Sequence, residues 1–116
     1  MAQNWMGDVA LLDRSAKTVA VVDADGKAVS KIAPKGTGWE FDEPNDVAFD
    51  ALGHLYVLDK GRSSIFVFSA RGKLVSTLTI PDRSPGGLSR AEALAVDAAG
   101  RLLVFDERVR RIQVYQ

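Results

Sequence analysis

Gly53-His54-Leu55-Tyr56-Val57-Leu58-Asp59 decides the fold, because its pattern occurs three times. It returns as Gly100-Arg101-Leu102-Leu103-Val104-Phe105-Asp106 and is preceded by Gly7-Asp8-Val9-Ala10-Leu11-Leu12-Asp13. The closing aspartates stand at 13, 59 and 106, an interval of 46 and then 47 residues. A fixed period of this size marks a repeated supersecondary unit. The copies extend downstream. Thr18-Val19-Ala20-Val21-Val22 aligns with Ser64-Ile65-Phe66-Val67-Phe68 and with Arg111-Ile112-Gln113-Val114-Tyr115, and Asp25-Gly26-Lys27-Ala28-Val29 aligns with Arg71-Gly72-Lys73-Leu74-Val75. Upstream, Asp46-Val47-Ala48-Phe49-Asp50 aligns with Ala93-Leu94-Ala95-Val96-Asp97. A first copy of that element would occupy Met1 to Met6, whose residues do not follow the pattern.

Each unit therefore holds four short β-rich runs divided by turn signals. Asp25-Gly26 and Arg71-Gly72 mark tight hairpins, where glycine supplies positive φ. No stretch shows helical periodicity. Four strands in a repeat of about 40–50 residues form one blade of a β-propeller. With strands a to d counted from the channel outward, the chain reads b, c, d; a, b, c, d; a, b, c, opening on an a strand that does not follow the pattern and stopping before the last d strand. The units fall at approximately 1–34, 41–81 and 88–116. The continuous apolar run Leu55 to Leu58 predicts a strand covered on both faces. The alternation Leu74, Ser76, Leu78, Ile80 predicts an outer strand with one wet face.

Composition excludes several function classes. Fifteen Lys and Arg balance fifteen Asp and Glu, so no global field draws the chain to nucleic acid or to an anionic membrane. There is no cysteine, which removes disulfides and thiolate metal sites and leaves the compartment open. No apolar run approaches the roughly 18 residues of a membrane span. Met1 to Met6 has neither the basic nor the apolar region of a signal peptide.

The stretch from Gly38-Trp39-Glu40-Phe41-Asp42-Glu43-Pro44-Asn45-Asp46-Val47-Ala48-Phe49-Asp50 to Asp59, together with Arg111-Ile112-Gln113-Val114-Tyr115, resembles the NHL repeat. This chain departs from that pattern by lacking the asparagine usual in the b–c loop and by placing Ala91 where the second unit has Pro44. The resemblance implies a propeller that closes with six blades, of which this chain carries half. Two apolar blade faces would then stand open, to be covered by a homodimer that completes the ring, the favoured expectation, or by the remaining blades of a longer chain. The segment Met1 to Met6 is expected to exchange strands with the last blade of a second copy.

Candidate sites are few. The repeated Asp13, Asp59, Asp106, Asp50 and Asp97 suggest turn residues whose carboxylates accept backbone amides, rather than metal ligands. Asn45 aligns with Glu92 just before the innermost strand, at the mouth of the channel. Pro44 to Asp50 is similar to a segment of gluconolactonase-type six-bladed propellers, a resemblance that implies a divalent cation, calcium above all, held by Asn45 with Asp46 and Glu92. Otherwise no cofactor is expected. Arg108 and Arg110, beside Arg111, form a basic loop suited to a partner, and Trp5 is a candidate anchor at the closure seam. Flanking acids and zero net charge argue against RNA. His54 is the only histidine, so no His-based triad or zinc site can be built within one chain.

The expectation is a non-catalytic binding or scaffold module that self-assembles into a ring and holds a protein or peptide. The enzyme alternative is a metal-dependent, gluconolactonase-like hydrolase remnant. A third is an excised or engineered propeller piece with no activity of its own.

Overall fold

A computed structural model describes residues 2–4, 6–32, 40–79, 91–106 and 111–115, with the backbone alone at 106, 111, 113 and 115. Three antiparallel sheets follow one another along the chain. The first contains β1 (Ala2–Gln3), β2 (Val9–Asp13), β3 (Thr18–Val22) and β4 (Ala28–Ile32), paired in that order. The second contains β5 (Pro44–Phe49), β6 (Leu55–Asp59), β7 (Ser64–Phe68) and β8 (Leu74–Thr79), again in order. The third contains β9 (Ala91–Val96), β10 (Leu102–Asp106) and β11 (Arg111–Tyr115). Each is a meander, as the period predicts, and the chain is nearly all β.

The first innermost strand corrects the sequence reading. Ala2 and Gln3 pair with Ala10 and Val9 inside their own sheet, so this segment already has a partner within the chain. Asn4 then does what Asp50 and Asp97 do in the later units. Its Oδ1 accepts Met6 N and Asp8 N at 3.0 Å, Asp50 Oδ1 accepts Leu52 N and His54 N at 2.9 Å, and Asp97 Oδ1 accepts Ala99 N and Arg101 N at 2.9 and 2.8 Å. The turn closes on Gly7, Gly53 and Gly100, whose φ of 82 to 89° a side chain rarely adopts. An asparagine stands in for aspartate here, and a two-residue strand is too short to show periodicity.

The sheets stack face to face. Between the first and second lie Ala10, Val19, Val21 and Ile32 against Val47, Leu55, Val57, Phe66 and Phe68. Phe41, from the connection into the second sheet, meets Phe66 and Phe68 edge-on at 5.6 and 6.1 Å. Between the second and third lie Ala48, Leu58 and Ile65 against Ala91, Leu94, Leu102 and Val104. Strand β6 is thus covered on both faces, as its unbroken apolar run requires. Strand β8 is wetter than its alternation suggests: Leu74 and Val75 are both exposed, at the place where the ladder shifts register between Val67 and Phe68. Ile80 lies outside the described residues.

Candidate functional site

The site is built from two bulges. In the ladder of β5 and β6, Pro44 opposes Asp59 and Asp46 opposes Leu58, so Asn45 is left over. In the ladder of β9 and β10, Ala91 opposes Asp106 and Ala93 opposes Phe105, so Glu92 is left over. Bulges at a rim re-aim the side chain they release. The aligned residues Asn45 and Glu92 are those released at the entrances of two successive innermost strands.

Each is gripped from the preceding blade by the basic residue next to the aspartate of strand b. Arg14 Nη2 donates to Asn45 O at 2.8 Å, and Lys60 Nζ meets Glu92 Oε1 at 3.3 Å. The second blade then reaches on to the third. Asn45 Nδ2 donates to Ala91 O at 2.9 Å, and Asp46 Oδ2 accepts Leu94 N at 2.7 Å while its Oδ1 accepts Val47 N. These contacts clasp neighbouring blades where they converge. The basic partners, Arg14 and Lys60, escape a single-sequence reading, although each stands directly after a closing aspartate, Asp13 and Asp59.

Asp59 holds the rim from beneath. It is fully buried, and its carboxylate accepts Asp42 N and Glu43 N at 2.8 Å and Arg62 N at 3.2 Å. It thereby caps the turn Lys60–Arg62 and pins the incoming connection, as Arg62 Nε does by donating to Glu40 O at 2.8 Å. A buried carboxylate is tolerable where charge-assisted bonds replace its water.

The result is an open cleft of about 560 Å³ lined by Arg14, Lys17, Asp42, Glu43, Pro44, Asn45, Lys60 and Glu92. Asn45 is only 6% exposed, and its Oδ1 has no hydrogen-bond partner.

The candidate cation ligands come together at one blade junction, but their oxygens do not converge. Asp46 spends both oxygens on backbone amides, Glu92 Oε1 meets Lys60, and Asn45 Oδ1 is buried without a partner. Among the described residues no group of three or more His, Asp or Glu is arranged to hold a metal. Calcium takes 6–8 oxygens, so this donor set does not fit it within one chain. Trp5, Arg108 and Arg110 lie outside the described residues, as do Glu107 and Trp39. Asp106 and Arg111 are opposed across their hairpin in backbone register.

On the opposite edge of the blades, the residue four after each turn acid is a repeated partner and not merely a surface position. Asn4 Nδ2 donates to Asp8 Oδ2 at 3.1 Å, His54 Nδ1 lies 2.9 Å from Asp50 Oδ2, and Arg101 Nε donates to Asp97 Oδ2 at 2.7 Å. Tyr56 Oη also donates to Asp50 at 3.1 Å. Burial raises the Asp50 carboxyl, but the hydrogen bonds from His54, Tyr56 and Leu52 outweigh it and hold it below 3.8. Burial first, then the Asp50 carboxylate, push the Tyr56 hydroxyl above 10.0.

Residues 41–68 match the NHL repeat, a span that runs from Phe41 through β7 of the second blade. No curated protein matches the chain. Several solved structures are similar to it. The WD40 β-propeller domain of Doa1 is 12% identical over 95% of this chain and 33% of that one, with a TM-score of 0.67. Regucalcin, a calcium-binding protein from Agrobacterium tumefaciens, is 16% identical over 90% and 36%, at 0.65. Virginiamycin B lyase from Staphylococcus aureus, in an inactive form with quinupristin, is 12% identical over 98% and 39%, at 0.61. The chain spans little more than a third of these propellers. At such identities the likeness establishes the fold alone, and the three sheets are β-propeller blades bearing an NHL repeat.

Proposed function

We propose that this chain is a non-catalytic binding and scaffold module whose open ends join those of a second copy, head to tail, to complete a propeller ring. One observation carries the reading. Ile112, Val114 and Phe105 are exposed by 62, 51 and 38% on the free face of the third blade. They align with Ile65, Val67 and Leu58 of the second blade, and Ile65 and Leu58 are fully buried against the next blade. Cross-strand register puts Phe105 opposite Ile112 and Leu103 opposite Val114, so all four share one face. The third blade thus offers the surface that the first two blades use to hold a successor.

The first blade offers the other half of such a joint. Val9 opposes Val22 and Leu11 opposes Ala20, on the face away from the second blade. These align with Leu55, Phe68, Val57 and Phe66, the residues with which the second blade receives the first. Unlike surfaces meeting in one direction form a heterologous interface, which closes into a ring when the rotation permits. Burying each large apolar side chain is worth about 1.5–3 kcal/mol, which favours covering these faces. The rigid rim loops then supply the binding surface.

Two spoiled variants test the direction of assembly. Leu11→Lys damages only the first-blade face and Ile112→Lys only the third-blade face. Head-to-tail joining predicts that each alone associates weakly, while their mixture recovers one intact joint and forms a heterodimer. Two variants that remain monomeric when mixed would contradict the reading.

A further inference from the structure

We infer that the cleft at the rim is a receptor for a basic side chain, a guanidinium carried by a peptide. Two of its three lining cations are already engaged. Arg14 grips Asn45 O, and Lys60 faces Glu92. Among the described residues Asp42 and Glu43 make no ion pair, and Lys17 is the one remaining cation of the lining. Arg14 keeps its charge, because its partner is a neutral oxygen, so the lining balances three cations against three carboxylates; the groups left without a partner are two carboxylates and one ammonium.

The second observation is independent of charge. Asn45 lines the same cleft, is buried to more than nine-tenths, and has an Oδ1 with no donor, while its Nδ2 is fixed on Ala91 O. The repeat does not impose this orphan. At the next junction the basic residue takes the side chain of Glu92, whereas Arg14 takes the backbone oxygen of Asn45 and leaves its side chain to reach forward. What remains is a buried neutral acceptor on a residue of the lining that also holds Asp42 and Glu43. A guanidinium, with five N–H donors in a planar fork, can serve a carboxylate and an amide oxygen together.

This deepens the binding reading and rests on it, but the cleft uses residues of one chain and does not need a closed ring. The test is titration of the ¹⁵N-labelled full chain with N-acetyl-arginine amide, with the citrulline analogue and calcium chloride as separate probes. The arginine amide is expected to shift the Asn45 side-chain amide and the Glu43 backbone amide, with citrulline silent. Glu43→Gln, on an exposed residue whose backbone bond to Asp59 is kept, should weaken the effect about threefold, and Lys17→Glu should strengthen it similarly, each change being the size of one exposed ion pair. No shift at Asn45, an equal shift with citrulline, or indifference to both substitutions would overturn the assignment. A shift with calcium alone would give the cleft to a metal ion and overturn it too. The mass of the same sample reports separately on ring completion.

Discussion

Ile65 and Ile112 occupy the same position in successive blades, yet Ile65 is fully buried and Ile112 is 62% exposed. The difference lies in the neighbour that each blade has. Ile65 is packed against the third blade, whereas Ile112 lies with Phe105 on the exposed face of the third blade. Ile65→Ala should cost about 2–5 kcal/mol in urea denaturation, the usual loss for a buried branched side chain. Ile112→Ala, measured at high dilution, should cost no more than about 0.5 kcal/mol. Equal losses at both positions in the dilute chain would show that Ile112 is already covered.

Asp59 should be the most sensitive polar position among the described residues. Its carboxylate accepts three backbone amides at the junction of the connection and the Lys60–Arg62 turn. Asp59→Ala leaves these donors unmet and opens a buried void, at a cost of about 3 kcal/mol or more. Asp13, whose carboxylate accepts Ala16 N alone among the described residues and lies in an exposed turn, should tolerate the same change at about 1 kcal/mol. Parallel urea curves for the two variants check the contrast.

Lys17 adopts a φ of 56° in the first b–c turn, where the second has Ser63 at 50°. Left-handed backbone is tolerated best by glycine and asparagine. The asparagine that the repeat usually places in this loop thus has a conformational explanation. Lys17→Asn should raise stability by about 0.5–1 kcal/mol, and Lys17→Val should lower it, read from thermal unfolding.

Acid should loosen the second blade through Asp50. Its folded carboxyl lies below 3.8, because the bonds from His54, Tyr56 and Leu52 outweigh its burial. A depressed folded value means that this stabilisation is whole above pH 3.8 and is lost as pH falls through the folded value. Asp50→Asn should therefore be less stable than wild type at pH 6 and should lose less of its remaining stability below pH 4. At the alkaline end Tyr56 has the opposite sign. Its raised value makes its contribution whole below pH 10.0 and lost above, so Tyr56→Phe should flatten that limb.

The repeat made the blades legible, because strands that share one structural role share a pattern. Strand β6 showed its two covered faces in an unbroken apolar run, and Gly7, Gly53 and Gly100 marked the turns. Strand β1 was not legible: two residues carry no period, and Asn4 disguises the acid of the later turns. For the site, alignment alone brought Asn45 and Glu92 to equivalent places. The bulges that release them and the hydrogen bonds that occupy Asp46 depend on backbone register and on contacts 46 to 48 residues away. Residue type suggested a cation site there, whereas the geometry uses these groups to tie blades together. The pairing of Asp8, His54 and Arg101 with Asn4, Asp50 and Asp97 was hidden because three different side chains make one contact.

The central claim is that the open faces of the first and third blades belong against each other, and mass in solution tests it most directly. Light scattering on the column eluate of the wild-type chain, of 12.5 kDa, should give twice that mass. The value should fall to the single-chain mass only at the high dilution used for Ile112→Ala, and at every concentration in Ile112→Lys. A wild-type chain that runs at its single-chain mass across the concentration range would contradict the account.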